Sequence, residues 1–282
     1  MKNIAVIGAG VMGSDVALDL AINGYEVILN DINSDSLKNA EARIKSSYRM
    51  ISMTKKEVRS SSIEEIMEKI KFVSNYNNMD TVDLIIENID EDFEKKKKVY
   101  ESLDSLTKEN VIYGVNTSCI SITKIASLVR KPENVIGMHF MNPVPLKEIV
   151  EVVLGFHTSK NTTETIEKFL KTLNKKAILV KDYPGFAANR LSHLFMNEAA
   201  FLVQDNVADP VAIDAIFKKG YGHAMGPLET ADLIGLDTVV NSLKILYESY
   251  QDNKFRCCPL LKKMVDAGIL GRKTGEGFYK YN

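Results

Sequence analysis

The sequence predicts an α/β protein in which a domain of parallel strands and alternating helices precedes an all-helical domain. Three observations carry this expectation. Short apolar runs rich in β-branched residues alternate with helical patterns through the first two thirds of the chain. A glycine-rich turn joins the first of these runs to a helix. No strand pattern returns after Pro184-Gly185. The 282 residues, 45% apolar and 26% charged, leave room for two unequal soluble domains. A net charge of −1 gives no overall pull toward nucleic acid or an anionic membrane, so neither is expected as a partner. The three cysteines, Cys119, Cys257 and Cys258, have no Cys-x-x-Cys spacing, which argues against a disulfide framework or a zinc site and for a reducing compartment. The first strand begins near Asn3, leaving no room for a targeting peptide, and no apolar run approaches the ~18 residues of a membrane span. The expected location is cytoplasmic.

Residues 3–8 form an apolar run, as in a strand buried on both faces. Gly8-Ala9-Gly10-Val11-Met12-Gly13 then opens a helix with Val16, Ala17, Leu20 and Ala21 on one face, and Asn23-Gly24 ends it. Residues 25–30 are a second strand, with Asp31 at its end. Strand, glycine turn, helix, strand and acid together make a Rossmann-type dinucleotide-binding unit. Gly8 permits the tight turn, Gly10 lets the backbone approach a pyrophosphate at the helix N-terminus, and Gly13 lets helix and strand pack. Asp31 is suited to accept from a ribose 2′-hydroxyl and to repel a 2′-phosphate, which favours NAD over NADP.

Residues 34–71 read as a helical excursion, with a long amphipathic helix at 35–53, a charged linker and a helix at 63–70. The exposed face, with Lys45, Arg49, Lys55 and Lys56, is by itself a solvated basic face. Strands at 82–87, 111–115 and 134–139 and a helix at 92–106 continue the alternation. Asn116-Thr117-Ser118 stand at a strand's carboxyl end, where open α/β sheets bind ligands. A helix at 162–173 and a strand at 176–180 complete a domain of residues 1–183. Residues 184–282 read as helical at 186–204, 210–220, 227–250 and 259–267, with Leu191, Leu194, Phe195, Glu198 and Leu202 as the buried stripe of the first helix. Such a domain has apolar surface to spare, and a homodimer interface is its expected use.

Between the sheet domain's last strands lies His139-Phe-Met-Asn-Pro-Val-Pro145, a turn built on two prolines, followed by a strand that carries Glu151. On such a hairpin the two side chains can meet, and a carboxylate beside an imidazole fixes its tautomer and makes it a better base. Read alone, the pair also fits a core histidine beside a half-exposed glutamate.

These residues resemble the short-chain L-3-hydroxyacyl-CoA dehydrogenases. The similarity rests on Gly8-Ala-Gly-Val-Met-Gly13, Asn116-Thr-Ser-Cys-Ile-Ser-Ile122, Gly137-Met-His-Phe-Met-Asn-Pro143, Pro184-Gly-Phe-Ala-Ala-Asn-Arg190, Met225 to Asp237, and Gly271-Arg-Lys-Thr-Gly-Glu-Gly-Phe-Tyr279. The resemblance implies NAD-dependent hydride transfer at C3 of an acyl-CoA, with His139 as acid/base, Glu151 as its partner, and Ser118 and Asn189 on the substrate oxygen. It implies cofactor contacts from Gly8, Gly10, Val11, Met12, Gly13, Asp31, Glu91, Lys96, Asn116, Ser118, Asn142 and Lys273, and coenzyme A contacts from Ser47 and Lys55. The chain departs from the family where Asn88-Ile89-Asp90 replaces an alanine and an aliphatic pair, beside the expected nicotinamide pocket. Enzymes for free hydroxy acids, such as a gulonate dehydrogenase, would keep the His–Glu pair, as would a catalytically silent NAD-binding protein. Hydroxyisobutyrate-type enzymes need a lysine that the helix after Asn189 lacks.

Overall fold

In the computed structural model, which describes residues 1–54 and 62–281, β1 (Asn3–Ile7) runs into α1 (Val11–Ile22) and returns as β2 (Glu26–Asn30). The excursion follows as α2 (Ser34–Thr54) and α3 (Ile63–Glu68), the latter started by a capping box in which Ser62 accepts from the Glu65 amide and Glu65 returns to the Ser62 amide. The excursion then rejoins the sheet through β3 (Ile70–Val73), a strand that sequence periodicity did not reveal. At four residues, on the sheet edge and half-exposed, β3 has too short an apolar pattern to outweigh the helical one before it.

The alternation continues with β4 (Leu84–Glu87), α4 (Phe93–Leu106), β5 (Ile112–Val115), the short α5 (Ile122–Ala126) and β6 (Val135–Phe140). After the turn come β7 (Ile149–Leu154), α6 (Lys160–Thr172) and β8 (Lys176–Lys181). The eight strands form one sheet in the order β3-β2-β1-β4-β5-β6-β7-β8. All neighbours are parallel except β6 and β7, which run antiparallel. The chain reverses its direction of travel across the sheet between β1 and β4, which opens a crevice at their carboxyl ends. Ile4, Val6, Leu84, Ile86, Ile136 and Met138 from the strands pack with Val16, Leu20 and Ile44 from the helices in one core. β8, at the far edge, is different: Lys176 and Lys181 bracket Ile178 and Leu179, which are 37% and 44% exposed.

The described residues divide into two units, Met1–Asp182 and Tyr183–Asn282, one residue earlier than the division read from sequence. The second holds α7 (Ala188–Gln204), α8 (Pro210–Ala215) continuing as a π turn over Ile216–Gly220, α9 (Pro227–Ile234), α10 (Leu236–Tyr250) and α11 (Pro259–Asp266). The single helix expected over 227–250 is broken at Gly235, whose φ of +102° no helix accommodates. The expected stripe of α7 is also corrected. The residues it buries are His193, Met196, Asn197, Ala199 and Ala200, while Leu191 and Glu198 are exposed. The buried face is set by where α9, α10 and α11 pack, with Met196 and Ala200 in one cluster and Ala199 in another. Among the described residues no helix is long and apolar enough to cross a membrane.

One polar pair is embedded in the sheet core. Glu87, the last residue of β4, and Lys96 of α4 are both fully buried, with Lys96 Nζ 2.7 and 2.8 Å from the two Glu87 oxygens. Tyr100 also donates to Glu87 at 3.3 Å. Burial pushes the Glu87 carboxyl up, and Lys96 opposes that shift. Lys96→Met leaves the Glu87 charge without its partner, so we expect a loss of about 3–5 kcal/mol in chemical denaturation of the cofactor-free protein. An unchanged midpoint would show the pair to be dispensable.

Candidate active site

The crevice is shaped by three glycines with three different duties. Gly8 follows β1 at φ +96°, where a Cβ would lie 2.7 Å from the Asn88 carbonyl oxygen. A Cβ on Gly13 would lie 1.8 Å from the Gly8 carbonyl oxygen, so only glycine lets α1 start this close to β1. A Cβ on Gly10 would meet nothing within 4 Å, and no side chain caps the helix there. Open space in front of the helix start suits a pyrophosphate. Beyond it lies a cavity of about 520 Å³ lined by Gly8, Gly10, Asp31, Tyr76, Asn88 and Lys98. Asp31 is held at its rim by the Ala9 amide (2.8 Å) and the Asn33 amide (2.9 Å). The cradle, the cavity and the fixed acid together fit a dinucleotide with a free ribose hydroxyl.

The strand ends beside the crevice are tied by side chains rather than left as loops. Glu91 accepts from the Thr117 hydroxyl (2.5 Å) and from the Ser118 and Cys119 amides (2.9 and 2.8 Å). It thereby fixes the loop that carries Ser118. Asn116 donates to Asn88 Oδ1 at 2.7 Å and accepts from the Phe140 amide at 3.2 Å, bridging the ends of β4, β5 and β6. Lys96, expected as a cofactor contact, has its Nζ on Glu87 and 3.3 Å from the Asn116 carbonyl. The two family departures resolve differently from one another: Asn88 is drawn into the strand-end bridge, whereas Asp90 pairs with Lys95 on the exposed rim. Both line the cavity that also holds Asp31.

His139 and Glu151 are direct partners across β6 and β7. The imidazole Nδ1 lies 2.8 Å from Glu151 Oε2, and both residues are buried. The carboxylate can only accept, so Nδ1 carries the proton and Nε2 of the neutral ring is left as a base. Nε2 faces Ser118 Oγ at 3.4 Å. Ser118, His139 and Glu151 thus form a continuous line, and a hydroxyl placed beside Ser118 would meet the basic nitrogen.

Asn142 is exposed in the turn after β6. Ser47, half-buried on α2, donates to Asp15 at 3.2 Å. Lys55 and Lys56 lie outside the described residues. In the second unit, Asn189 is half-buried in the first turn of α7, and Lys273 is paired with both Asp237 oxygens at 2.5 and 2.6 Å. Sequence reasoning passed over Asn30 and Tyr76 in the cavity wall and the acids Asp15 and Asp19 inside α1. The two acids did carry a signal, since charges four residues apart interrupt an otherwise apolar helix.

Comparison with known proteins agrees along the whole chain. Residues 3–183 match the 3-hydroxyacyl-CoA dehydrogenase NAD binding domain, and residues 185–281 match the 3-hydroxyacyl-CoA dehydrogenase C-terminal domain. A 3-hydroxybutyryl-CoA dehydrogenase of Bradyrhizobium diazoefficiens is 41% identical over 281 residues, covering 100% of this chain and 96% of that protein. One from Clostridioides difficile is 42% identical over 279 residues, covering 99% of each chain. The crystal structure of an (S)-3-hydroxybutyryl-CoA dehydrogenase from Ralstonia eutropha superimposes with a TM-score of 0.92 at 37% identity, covering 100% of this chain and 99% of that one. With both domains matched in order and a dinucleotide cradle beside a His–Glu pair, this chain belongs to the 3-hydroxyacyl-CoA dehydrogenase family.

Proposed function

We propose that the protein interconverts short-chain L-3-hydroxyacyl-CoA and 3-ketoacyl-CoA with NAD, and that its substrate is the four-carbon 3-hydroxybutyryl-CoA. The observation that carries this reading is the buried His139–Glu151 pair with its basic nitrogen turned to Ser118. The names of the relatives from Bradyrhizobium and Clostridioides support the choice of acyl chain.

Bound NAD supplies the hydride acceptor for C3. His139 Nε2 takes the proton of the C3 hydroxyl, and Glu151 stabilises the imidazolium that forms, a contribution of about 10²–10⁴ in rate. In the reducing direction the same imidazolium returns the proton to the C3 oxygen. Ser118, held by Glu91, donates to that oxygen as charge develops on it, and we assign Asn189 a second contact to it. Glu91 and Asn116 act by fixing the strand ends, Lys96 acts through Glu87, and Asn142 and Lys273 are assigned to the cofactor. Asp31 excludes a 2′-phosphate by charge. Ser47 and Lys55 are assigned to coenzyme A. Leu191, Val211, Ile216 and Tyr221 stand 69%, 65%, 54% and 72% exposed in the helical unit, an apolar surface suited to a homodimer. The chain's chemistry fits a cytoplasmic enzyme.

We expect NADH to be oxidised with acetoacetyl-CoA, and kcat/KM with NADPH to be lower by about a hundredfold or more, as a buried or rim carboxylate opposite a phosphate requires. A panel of 3-ketoacyl-CoA substrates of increasing chain length and free hydroxy acids checks the assignment. Turnover of a free hydroxy acid without turnover of any short 3-ketoacyl-CoA would overturn it. His139→Gln is expected to bind NADH within about twofold of the parent in a fluorescence titration while kcat falls about 10²–10⁴-fold. A near-normal rate removes the histidine from the chemistry.

A further inference from the structure

The cofactor helix carries two charges where its surroundings favour none. From Gly13 to Ala21 every residue of α1 is buried, and Asp15 and Asp19, one turn apart, are each 4% exposed. Carboxylates in such a place are costly unless they are paired or hydrogen-bonded, and the contacts of both lead to the same short segment. Asp15 accepts from the Ser47 hydroxyl at 3.2 Å and from the Val144 backbone amide. Burial pushes its carboxyl up, opposed by those two hydrogen bonds and by Arg43. Asp19 lies 3.2 Å from Lys175 Nζ, and Lys175 donates to the Val144 and Lys147 carbonyls, each at 2.7 Å. Val144 is thus gripped on its N–H by one acid of α1 and on its carbonyl by the partner of the other.

That segment, residues 143–147, is the turn between the strand of His139 and the strand of Glu151. We infer that Asp15, Asp19 and Lys175 are positioning residues that lock this turn onto α1, setting the place of the His139–Glu151 hairpin relative to a dinucleotide whose pyrophosphate rests on the same helix. The inference rests on the proton-transfer role proposed for His139. A polar clamp gives what apolar packing alone does not, a single register: each bond is satisfied at one setting of the turn and broken at the next. The reaction makes that setting matter, because hydride donor and acceptor must approach to about 3–3.5 Å and an error of about 1 Å can lower the rate about a hundredfold. Neither acid nor the lysine touches substrate or cofactor in this account.

The test compares Lys175→Met, Lys175→Arg and the isosteric Asp15→Asn with Tyr113→Phe. The last breaks a buried hydrogen bond to Thr107 (2.7 Å) elsewhere in the sheet and serves as a control for plain destabilisation. Amide hydrogen exchange of the peptide spanning 143–147 is measured without cofactor. Then kcat, the KM for NADH and the isotope effect on kcat with C4-deuterated NADH are measured on the folded fraction. We expect faster exchange in the turn for Lys175→Met and Asp15→Asn. We also expect kcat to fall about tenfold or more with the KM for NADH within about twofold, and the isotope effect to rise as hydride transfer becomes limiting. Lys175→Arg should recover part of the rate, and Tyr113→Phe should leave all four readouts near the parent. Looser exchange with an unchanged kcat overturns the inference, as does a loss that Tyr113→Phe reproduces or one confined to the KM for NADH. If Lys175→Met does not fold, Asp15→Asn alone decides. A failure of the His139 role appears separately, as an active His139→Gln with the turn still protected.

Discussion

The antiparallel junction between β6 and β7 is the constraint on which the site depends. In a wholly parallel sheet only strand ends reach the ligand edge, and two neighbouring strands offer their last residues at the same height. Reversing β7 brings the first half of a strand to that edge, so Glu151 stands directly opposite His139 with both residues inside regular strands. A slip of one residue would turn Glu151 to the other face of the sheet and leave the imidazole without its acceptor. The register therefore has to be held from outside the hairpin as well as within it.

Buried charge is concentrated at this same edge. Glu87 with Lys96, Asp19 with Lys175 and Glu151 with His139 are all nearly or wholly removed from solvent. Such pairs add little net stability compared with apolar packing, but each fixes a geometry that apolar packing leaves free. Lys96 and Glu87 hold the end of β4 beside the Asn116 carbonyl. Lys175 and Asp19 hold the turn, and Glu91 gathers the loop of Ser118. The apolar core supplies cohesion, and the polar ties supply the positions of a few atoms.

Much of this is legible in the sequence. The glycine turn, Asp31 and the His139–Glu151 hairpin are encoded by local spacing, and local spacing is what a sequence displays. The second unit's helices were legible as helices, but the buried side of α7 was not, because which face is buried depends on where α9 and α10 lie. β3 was hidden by its length and edge position. The direction of Lys96, and the hold of Asp15 and Lys175 on Val144, join residues far apart in the chain. No periodicity announces such contacts, although acids inside an apolar helix signal that some distant partner must exist.

The open edge of the sheet has a consequence for how copies of the chain behave when crowded. β8 offers unpaired backbone beside exposed Ile178 and Leu179, the kind of strand that recruits another strand. Its two lysines stand one at each end. A second copy that approaches this edge meets an ammonium at either end of the strand, so charge opposes the pairing of one such edge with another, and that protection weakens as salt rises.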